Sequence, residues 1–206
     1  MKIIDISQKL HNEIPVWPGD TPFQFQLGWK MEDSGSVNVG QVRMSTHTGT
    51  HIDAPFHFEE DGKRVADLPL ERFIGTALVV DVSGLGSIGR SDLEHLDLSG
   101  ATKLLLKTGA WTDRRAFPPE IPHLREDIAP YLVSSGIDLI GVEVPSVDPL
   151  DSKELPAHHA LQYHNIQILE GIVLDHVNIG TYQLIALPLS LVEGDGCPVR
   201  AVLIEK

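Results

Sequence analysis

The sequence at residues 45–58 is STHTGTHIDAPFHF, a stretch that constrains both the backbone and the chemistry of this chain. It places His47, His51 and His57 close to one another along the chain, together with Asp53. Imidazole and carboxylate donors without a thiolate suit zinc, or a similar divalent ion that activates water. The stretch therefore predicts a metal site.

The spacing of these donors excludes regular secondary structure. In an ideal strand the imidazoles of His47 and His51 would lie ~13 Å apart, and ligand bonds of ~2 Å cannot bridge that gap. In a helix the carboxylate of Asp53 would point away from both imidazoles. Gly49, which lies between two threonines, can adopt backbone angles that other residues avoid. We therefore expect the chain to bend sharply at Gly49 and to bring the three donors together.

The other histidines differ in what they indicate. His57 follows the rigid step at residues 54–55, so its imidazole can be either a further ligand or a proton carrier that faces a substrate. Isolated histidines are more often surface or hydrogen-bonded core residues than ligands. We interpret four of them in that way: His11, His95, His123 and His176.

Length and composition restrict the class of protein. The 206 residues are enough for one well-filled core, so we expect a single domain over residues 1–206. The chain has 29 acidic against 16 basic residues and a net charge of −13, which disfavours nucleic acid and anionic membranes as partners. The apolar runs, such as residues 184–189, fall far short of the ~20 residues that a membrane span needs.

The N-terminus and the cysteine content predict a cytoplasmic location. Residues 1–6 alternate like a strand and lack the apolar core of a signal peptide. The single cysteine, Cys197, excludes an intrachain disulfide, which agrees with a reducing compartment.

Alternating and β-branched segments predict a largely β structure. The predicted strands cover residues 2–7, 22–29, 39–44, 77–82, 103–107, 138–142, 182–187 and 199–204. The predicted helices are one that starts with a capping box at residues 91–94, one at residues 124–134 and one at residues 156–163. Because strands occur in runs and also alternate with helices, we expect an α/β fold with a mixed β-sheet and flanking helices.

A second group of donors lies near residues 151–171, where His158 and His159 precede Glu170. In one continuous helix His158 and Glu170 would be ~18 Å apart. A short helix followed by a reversal of the chain is needed to bring them to one ion. The alternative is a histidine pair at a helix start and an unrelated, exposed glutamate.

The chain resembles the bacterial kynurenine formamidases of the metal-dependent cyclase family. The resemblance rests on segments that span nearly the whole chain: residues 16–23 (VWPGDTPF), 47–57 (HTGTHIDAPFH), 155–160 (LPAHHA), 168–171 (ILEG), 186–189 (ALPL) and 197–203 (CPVRAVL). It implies a compact domain of the swivelling β/β/α type and a homodimer.

The resemblance also implies a function for each matched residue. Five residues would hold two zinc ions per subunit: His47, His51, Asp53, His158 and Glu170. Asp53 would bridge the ions, His57 would be the general acid/base, and the family spacing favours His158 over His159 as the ligand. The implied reaction is hydrolysis of a small molecule, N-formyl-L-kynurenine, by activated water in tryptophan degradation.

Competing interpretations remain at this level. The same metal centre could act on a cyclic amide such as isatin, or the protein could be a metal-binding module without catalysis. Trp17 could contact the substrate ring or could simply pack in a loop. A covalent mechanism is disfavoured, because Cys197 lacks cationic neighbours in the sequence and no Gly-x-Ser-x-Gly motif is present.

Overall fold

The computed structural model describes residues 1–205. Within this range the chain forms thirteen strands: β1 (Lys2–Asp5), β2 (Gln24–Trp29), β3 (Val39–Arg43), β4 (His51–Asp53), β5 (Ile74–Asp81), β6 (Ser87–Ile88), β7 (Lys103–Lys107), β8 (His123–Leu124), β9 (Leu139–Val142), β10 (Gln167–Glu170), β11 (Gly180–Ile185), β12 (Gly196–Pro198) and β13 (Val202–Glu205). The α-helices are α1 (Met31–Ser34), α2 (Arg90–Leu93), α3 (Ile128–Ser134) and α4 (Pro156–Tyr163). Short 3₁₀ turns occupy Pro55–His57, Val65–Asp67 and Leu70–Phe73.

Nine strands form the main sheet, in the order β1-β13-β11-β5-β7-β9-β10-β4-β12. The four central strands, β5, β7, β9 and β10, run parallel to one another. The remaining neighbours pair antiparallel on both sides. The sheet is therefore mixed, and the α/β fold class predicted from the sequence is confirmed.

Strand connectivity forces this sheet to curl. β12 forms one edge and β13 lies one strand in from the other edge, yet only residues 199–201 separate them. In a flat sheet they would be ~34 Å apart, whereas a link of this length spans at most ~14 Å. Hydrogen bonds from Val199 N to Thr50 O and from Ile6 N to Ala201 O fix the link between the two edges.

Side chains that alternate along the strands fill two hydrophobic cores, one on each face of the curled sheet. On β7, Leu105 belongs to the inner core, whereas Leu104 and Leu106 belong to the outer one. The outer core also contains Leu132 of α3 and Leu161 of α4, so these helices cover that face. Burial of apolar surface on both faces stabilises the central strands.

Most predicted elements are present, with shifted ends. All eight predicted strands occur, and the helix at 156–163 has the predicted bounds. The predicted capping box at residues 91–94 is wrong, because Asp92 accepts the N–H of Gly89 (2.9 Å) and α2 therefore starts earlier. The helix predicted from residue 124 begins at Ile128 instead, since Leu124 pairs with Ile88 in a small parallel sheet.

Among residues 1–205, no helix has the length and apolarity needed to cross a membrane.

Candidate metal centre

The short strand β4 carries two of the predicted donors on one face. His51 and Asp53 flank Ile52, which is fully buried in the inner core. Since successive side chains of a strand point to opposite faces, His51 and Asp53 must both point to the outer face. On the neighbouring strand β10, Glu170 lies opposite His51, so it shares that face.

The bend predicted at Gly49 is present and orients two histidines. Gly49 has φ +68°, which is in the left-handed region that favours glycine. The bend returns the imidazole of His47 to Asp53, with Nδ1 3.0 Å from Oδ1. The carbonyl of Gly49 lies 3.0 Å from Nδ1 of His51, which leaves Nε2 of His51 directed at Glu170 Oε2, 3.4 Å away.

Helix α4 supplies the remaining imidazole. His158 is buried, and its Nε2 lies 3.5 Å from Asp53 Oδ2 and 3.8 Å from Glu170 Oε1. His159 is exposed and packs edge-on against Phe58 instead. The short helix and the reversal into β10 that this arrangement needs are both observed.

The carboxylate of Asp53 lacks the hydrogen bonds that a buried charge needs. Asp53 is 4% exposed, and within residues 1–205 neither of its oxygens has a hydrogen-bond partner. Instead, Oδ1 faces one nitrogen each of His47 and His51, and Oδ2 faces one of His158. These nitrogens lie at 3.0–3.5 Å and outside hydrogen-bond geometry. Because an uncompensated buried charge is costly, this arrangement fits a cation held between the donors.

Two overlapping donor groups share this carboxylate. One donor atom from each of His47, His51 and Asp53 lies within 4.8 Å of the others. The same holds for Asp53, His158 and Glu170. The structure thus brings together all five residues that the sequence interpretation grouped, and Asp53 belongs to both groups.

The field of these carboxylates favours positive charge. Burial lowers the pKa of His47, but contacts with Asp195 and Asp53 outweigh it and raise that pKa to about 10. The pKa of His158 is also raised to about 10, because contacts with Asp148 and Asp53 outweigh burial. Burial opposes the charge of Asp53, yet contacts with His158 and His47 hold its pKa well below the usual range. Protons on His47 and His158 therefore supply the positive charge that a bound metal cation would supply.

His57 lies outside the two groups around Asp53. It ends the 3₁₀ turn after β4, and its ring stacks on that of His47 with centroids 3.9 Å apart. Its side chain is 36% exposed and faces the cavity above the cluster. Burial lowers the pKa of His57, which favours the neutral imidazole, the form that can accept a proton.

Two aspartates that sequence reasoning missed support the imidazoles. Asp148 Oδ2 lies 2.7 Å from His158 Nδ1, and the same carboxylate accepts the N–H groups of Ala157 and His158 at the start of α4. Asp195 Oδ2 lies 3.2 Å from His47 Nε2. Neither aspartate has a local sequence signal, because each contacts its histidine through the fold.

A cavity of about 260 Å³ opens onto the cluster. Three aromatic residues line it: Trp17, Trp111 and Phe117. The ring of Phe117 packs edge-on against Trp17 (5.4 Å between centroids) and against Trp111 (6.2 Å). Trp17, predicted from the sequence, thus lies at the cavity, whereas Trp111 and Phe117 gave no signal in the sequence.

The chain is similar in sequence and in fold to known proteins. A kynurenine formamidase from Bacillus cereus is 60% identical over 200 residues, which cover 97% of this chain and 96% of that protein. A solved structure described as a "predicted metal-dependent hydrolase" from Bacillus stearothermophilus has 29% identity and a TM-score of 0.83, and the match covers 98% of this chain and 97% of that one. Isatin hydrolase A from Labrenzia aggregata shares the fold, with a TM-score of 0.85 at 23% identity over 100% of this chain and 94% of that one.

A family model described as "Putative cyclase" matches residues 4–149, which include the donors of the 47–57 segment. The relatives named kynurenine formamidase extend the match to the segment with His158 and Glu170, since they cover 97% of the chain. The chain therefore belongs to the cyclase family.

Proposed function

We propose that this protein is a metal-dependent amidohydrolase that converts N-formyl-L-kynurenine into L-kynurenine and formate, as a step of tryptophan degradation. The observation that carries the metal-dependent part is the buried Asp53 carboxylate, which has no hydrogen-bond partner within residues 1–205 and is surrounded by imidazoles. The identity of 60% with a protein named kynurenine formamidase supports the choice of N-formyl-L-kynurenine as the substrate.

The metal is proposed to be zinc, with two ions per subunit and Asp53 as the bridging ligand. His47 and His51 would complete one site, and His158 and Glu170 the other. Nitrogen and oxygen donors without sulfur are common in catalytic zinc sites. When bound, divalent ions supply Lewis-acid activation of water and of a carbonyl oxygen.

His57 is proposed to carry the proton of the reaction. Hydrolysis adds the oxygen of water to the formyl carbon and breaks the C–N bond, and the departing arylamine nitrogen needs a proton. The neutral imidazole of His57, which faces the cavity, can take a proton from the attacking water and return it to that nitrogen. No covalent enzyme intermediate is needed.

The cavity fits an aromatic amino acid derivative. Its wall of Trp17, Trp111 and Phe117 can pack against the substrate ring. Apart from the cluster, the described cavity lining contains one carboxylate, that of Asp20, and no lysine or arginine. Asp20 Oδ1 accepts the N–H of Thr21, and within residues 1–205 the carboxylate makes no ion pair. The α-ammonium group of N-formyl-L-kynurenine is the partner that such a carboxylate suits.

The deciding experiment measures formate and kynurenine release from N-formyl-L-kynurenine by the purified protein. The assay is run on the protein as isolated, after chelation and after zinc is restored. We expect a kcat/KM of ~10⁴ M⁻¹s⁻¹ or better. The activity should disappear when the metal is removed and return when zinc is restored. If metal-loaded protein opens isatin instead and ignores the formyl substrate, the substrate assignment is wrong and the metal centre stands.

We further propose that the chain forms a homodimer through the β2–β3 hairpin. Both strands are exposed along their whole length, and they carry apolar side chains such as Trp29 (65% exposed) and Val42 (52%). A two-stranded hairpin is marginal by itself, and exposed apolar surface of this kind marks an interaction site. A second copy of the chain is the partner proposed.

This dimer is tested by the molar mass in solution. Light scattering on the parent should give about twice the chain mass, and Trp29→Glu should shift it towards the monomer. Leu70→Glu, at an exposed leucine outside the hairpin, is the control and should leave the mass unchanged.

We also propose that residues 1–206 form a single domain. We propose that the protein acts in the cytosol, where the buried Cys197 stays reduced.

A further inference from the structure

We propose that Asp195 is a positioning residue that orients both His47 and His57. The inference rests on the proposed metal site, but it does not depend on the identity of the substrate. It follows from one carboxylate lying against two imidazoles that would have different functions, one as a ligand and one as a proton carrier.

Contacts on both sides fix the carboxylate of Asp195. Oδ1 accepts a hydrogen bond from Thr46 Oγ1 (2.7 Å), which directs Oδ2 towards the histidines. The backbone is held as well, since Asp195 O accepts the N–H of Ala54 (2.8 Å). The next residue, Gly196, pairs with Asp53 across β12 and β4. Asp195 therefore moves with the strand that carries the candidate ligands.

For His47 the consequence is a fixed ring orientation. Asp195 Oδ2 lies 3.2 Å from Nε2, while Nδ1 on the other side of the ring lies 3.0 Å from Asp53 Oδ1. A neutral imidazole that binds a metal through Nδ1 carries its proton on Nε2, and it donates that proton to Asp195. Carboxylate partners of this kind orient metal-binding histidines and raise their basicity.

For His57 the nearest carboxylate oxygen is the same one, Asp195 Oδ2. Asp195 Oδ2 is 3.8 Å from His57 Nδ1, and within residues 1–205 no other carboxylate oxygen lies within 4.0 Å of a ring nitrogen of His57. A negative charge at this distance favours a proton on Nδ1 and leaves Nε2 free for the reaction. Because the rings of His47 and His57 are stacked, one carboxylate can serve both.

The test compares Asp195→Asn with Glu193→Gln. Both changes remove one negative charge from the same loop, but the Glu193 side chain is 87% exposed and points to Arg64. Zinc affinity is measured without substrate by competition with a chromophoric chelator, and kcat and KM are measured on the zinc-loaded proteins. Thermal melting of each variant checks that it is folded.

We expect Asp195→Asn to weaken zinc binding ~10–100-fold and to lower kcat with little change in KM, while Glu193→Gln matches the parent. Thr46→Val, which frees the carboxylate without removing it, should cause a smaller change in the same direction. Zinc affinity and kcat within twofold of the parent in folded Asp195→Asn would overturn the proposal.

A different result would also overturn it. One donor atom from each of His47, His57 and Asp195 lies within 4.8 Å of the others. If elemental analysis finds one more zinc ion per subunit in the parent than in Asp195→Asn, with the remaining ions bound at unchanged affinity, Asp195 is a ligand rather than a positioning residue. Because zinc affinity needs no substrate, failure of the formamidase assignment leaves this test intact.

Discussion

His51 on β4 lies directly opposite Glu170 on β10, and its Nε2 is 3.4 Å from Glu170 Oε2. The adjacent pair in the same register is Ile52 with Leu169, and both of these side chains are buried in the inner core. A slip of one residue would turn the apolar pair outward and the polar pair inward. The hydrophobic register therefore holds the two candidate ligands together.

Replacing His51 by alanine should lower bound metal and activity together. The imidazole faces both Asp53 and Glu170, so its loss removes a donor from the cluster. We expect zinc affinity to fall by more than the ~10–100-fold that loss of a supporting residue costs. Elemental analysis after dialysis measures how much zinc each protein retains. His159→Ala, at the exposed neighbour of His158, is the control and should keep its metal. A His51→Ala protein with full zinc content would remove His51 from the ligand set.

Replacing His57 by alanine should separate metal binding from catalysis. His57 lies outside the two donor groups around Asp53, so the variant should retain its zinc. Without the proton carrier, kcat should fall ~10²–10⁴-fold. His95→Ala, at an exposed histidine far along the chain, should behave like the parent. Parental turnover in His57→Ala would exclude a role of His57 in proton transfer.

The clustering of the five candidate ligands was predicted from the sequence, but two short strands beside them were not. Neither β4 nor β12 was among the predicted strands, because each has only three residues. β4 has buried polar residues at both ends, and β12 contains a glycine and a proline, so local propensity is weak. They become strands because β10 and the link to β13 hold them at the edge of the curled sheet.

The supporting aspartates could not be predicted for a related reason. Asp148 lies ten residues before His158, and Asp195 lies 148 residues after His47. Acidic residues are common in this chain, with 29 in total, so spacing alone does not single these two out. The contacts depend on α4 and β12 packing beside β4. Such partners are visible only after the fold is assembled.

The stabilisation by metal should grow with pH. In the metal-free protein the pKa values of His47 and His158 are raised from 6.5 to about 10. Their protonation stabilises the fold fully below about 6.5, and that contribution is lost as the pH rises towards 10. Metal binding must displace these protons, so it becomes more favourable over the same range.

Melting temperatures of zinc-loaded and metal-free protein at pH 6.5, 8.0 and 9.5 test this expectation. The gap between the two forms should widen at each step. Calorimetric titration at pH 8.0 in buffers of different ionisation enthalpy should also show protons released as zinc binds. A constant gap and no proton release would contradict the ligand set, because the raised pKa values belong to two of its members.

Replacing Asp20 by asparagine should change which substrates the protein prefers. If the carboxylate binds the α-ammonium group, its loss removes a charge-assisted hydrogen bond of about 1.5–3 kcal/mol, which corresponds to ~10–100-fold in KM. The matched substrate is 2-formamidoacetophenone, which keeps the aryl formamide but lacks the ammonium group. Its KM should be the same for the parent and for Asp20→Asn. Glu13→Gln, at an exposed acid in the same N-terminal segment, should leave both values unchanged.

The comparison of the two substrates separates recognition from damage. A general disturbance of the loop that carries Trp17 would raise the KM of both substrates equally. That result would exclude Asp20 as the site that binds the ammonium group. A selective loss for N-formyl-L-kynurenine would show that Asp20 recognises the α-ammonium group and so distinguishes amino acid derivatives from aryl formamides without that group. Discrimination between these two classes of substrate would then depend on the Asp20 carboxylate, because the metal cluster does not contact the group that differs between them.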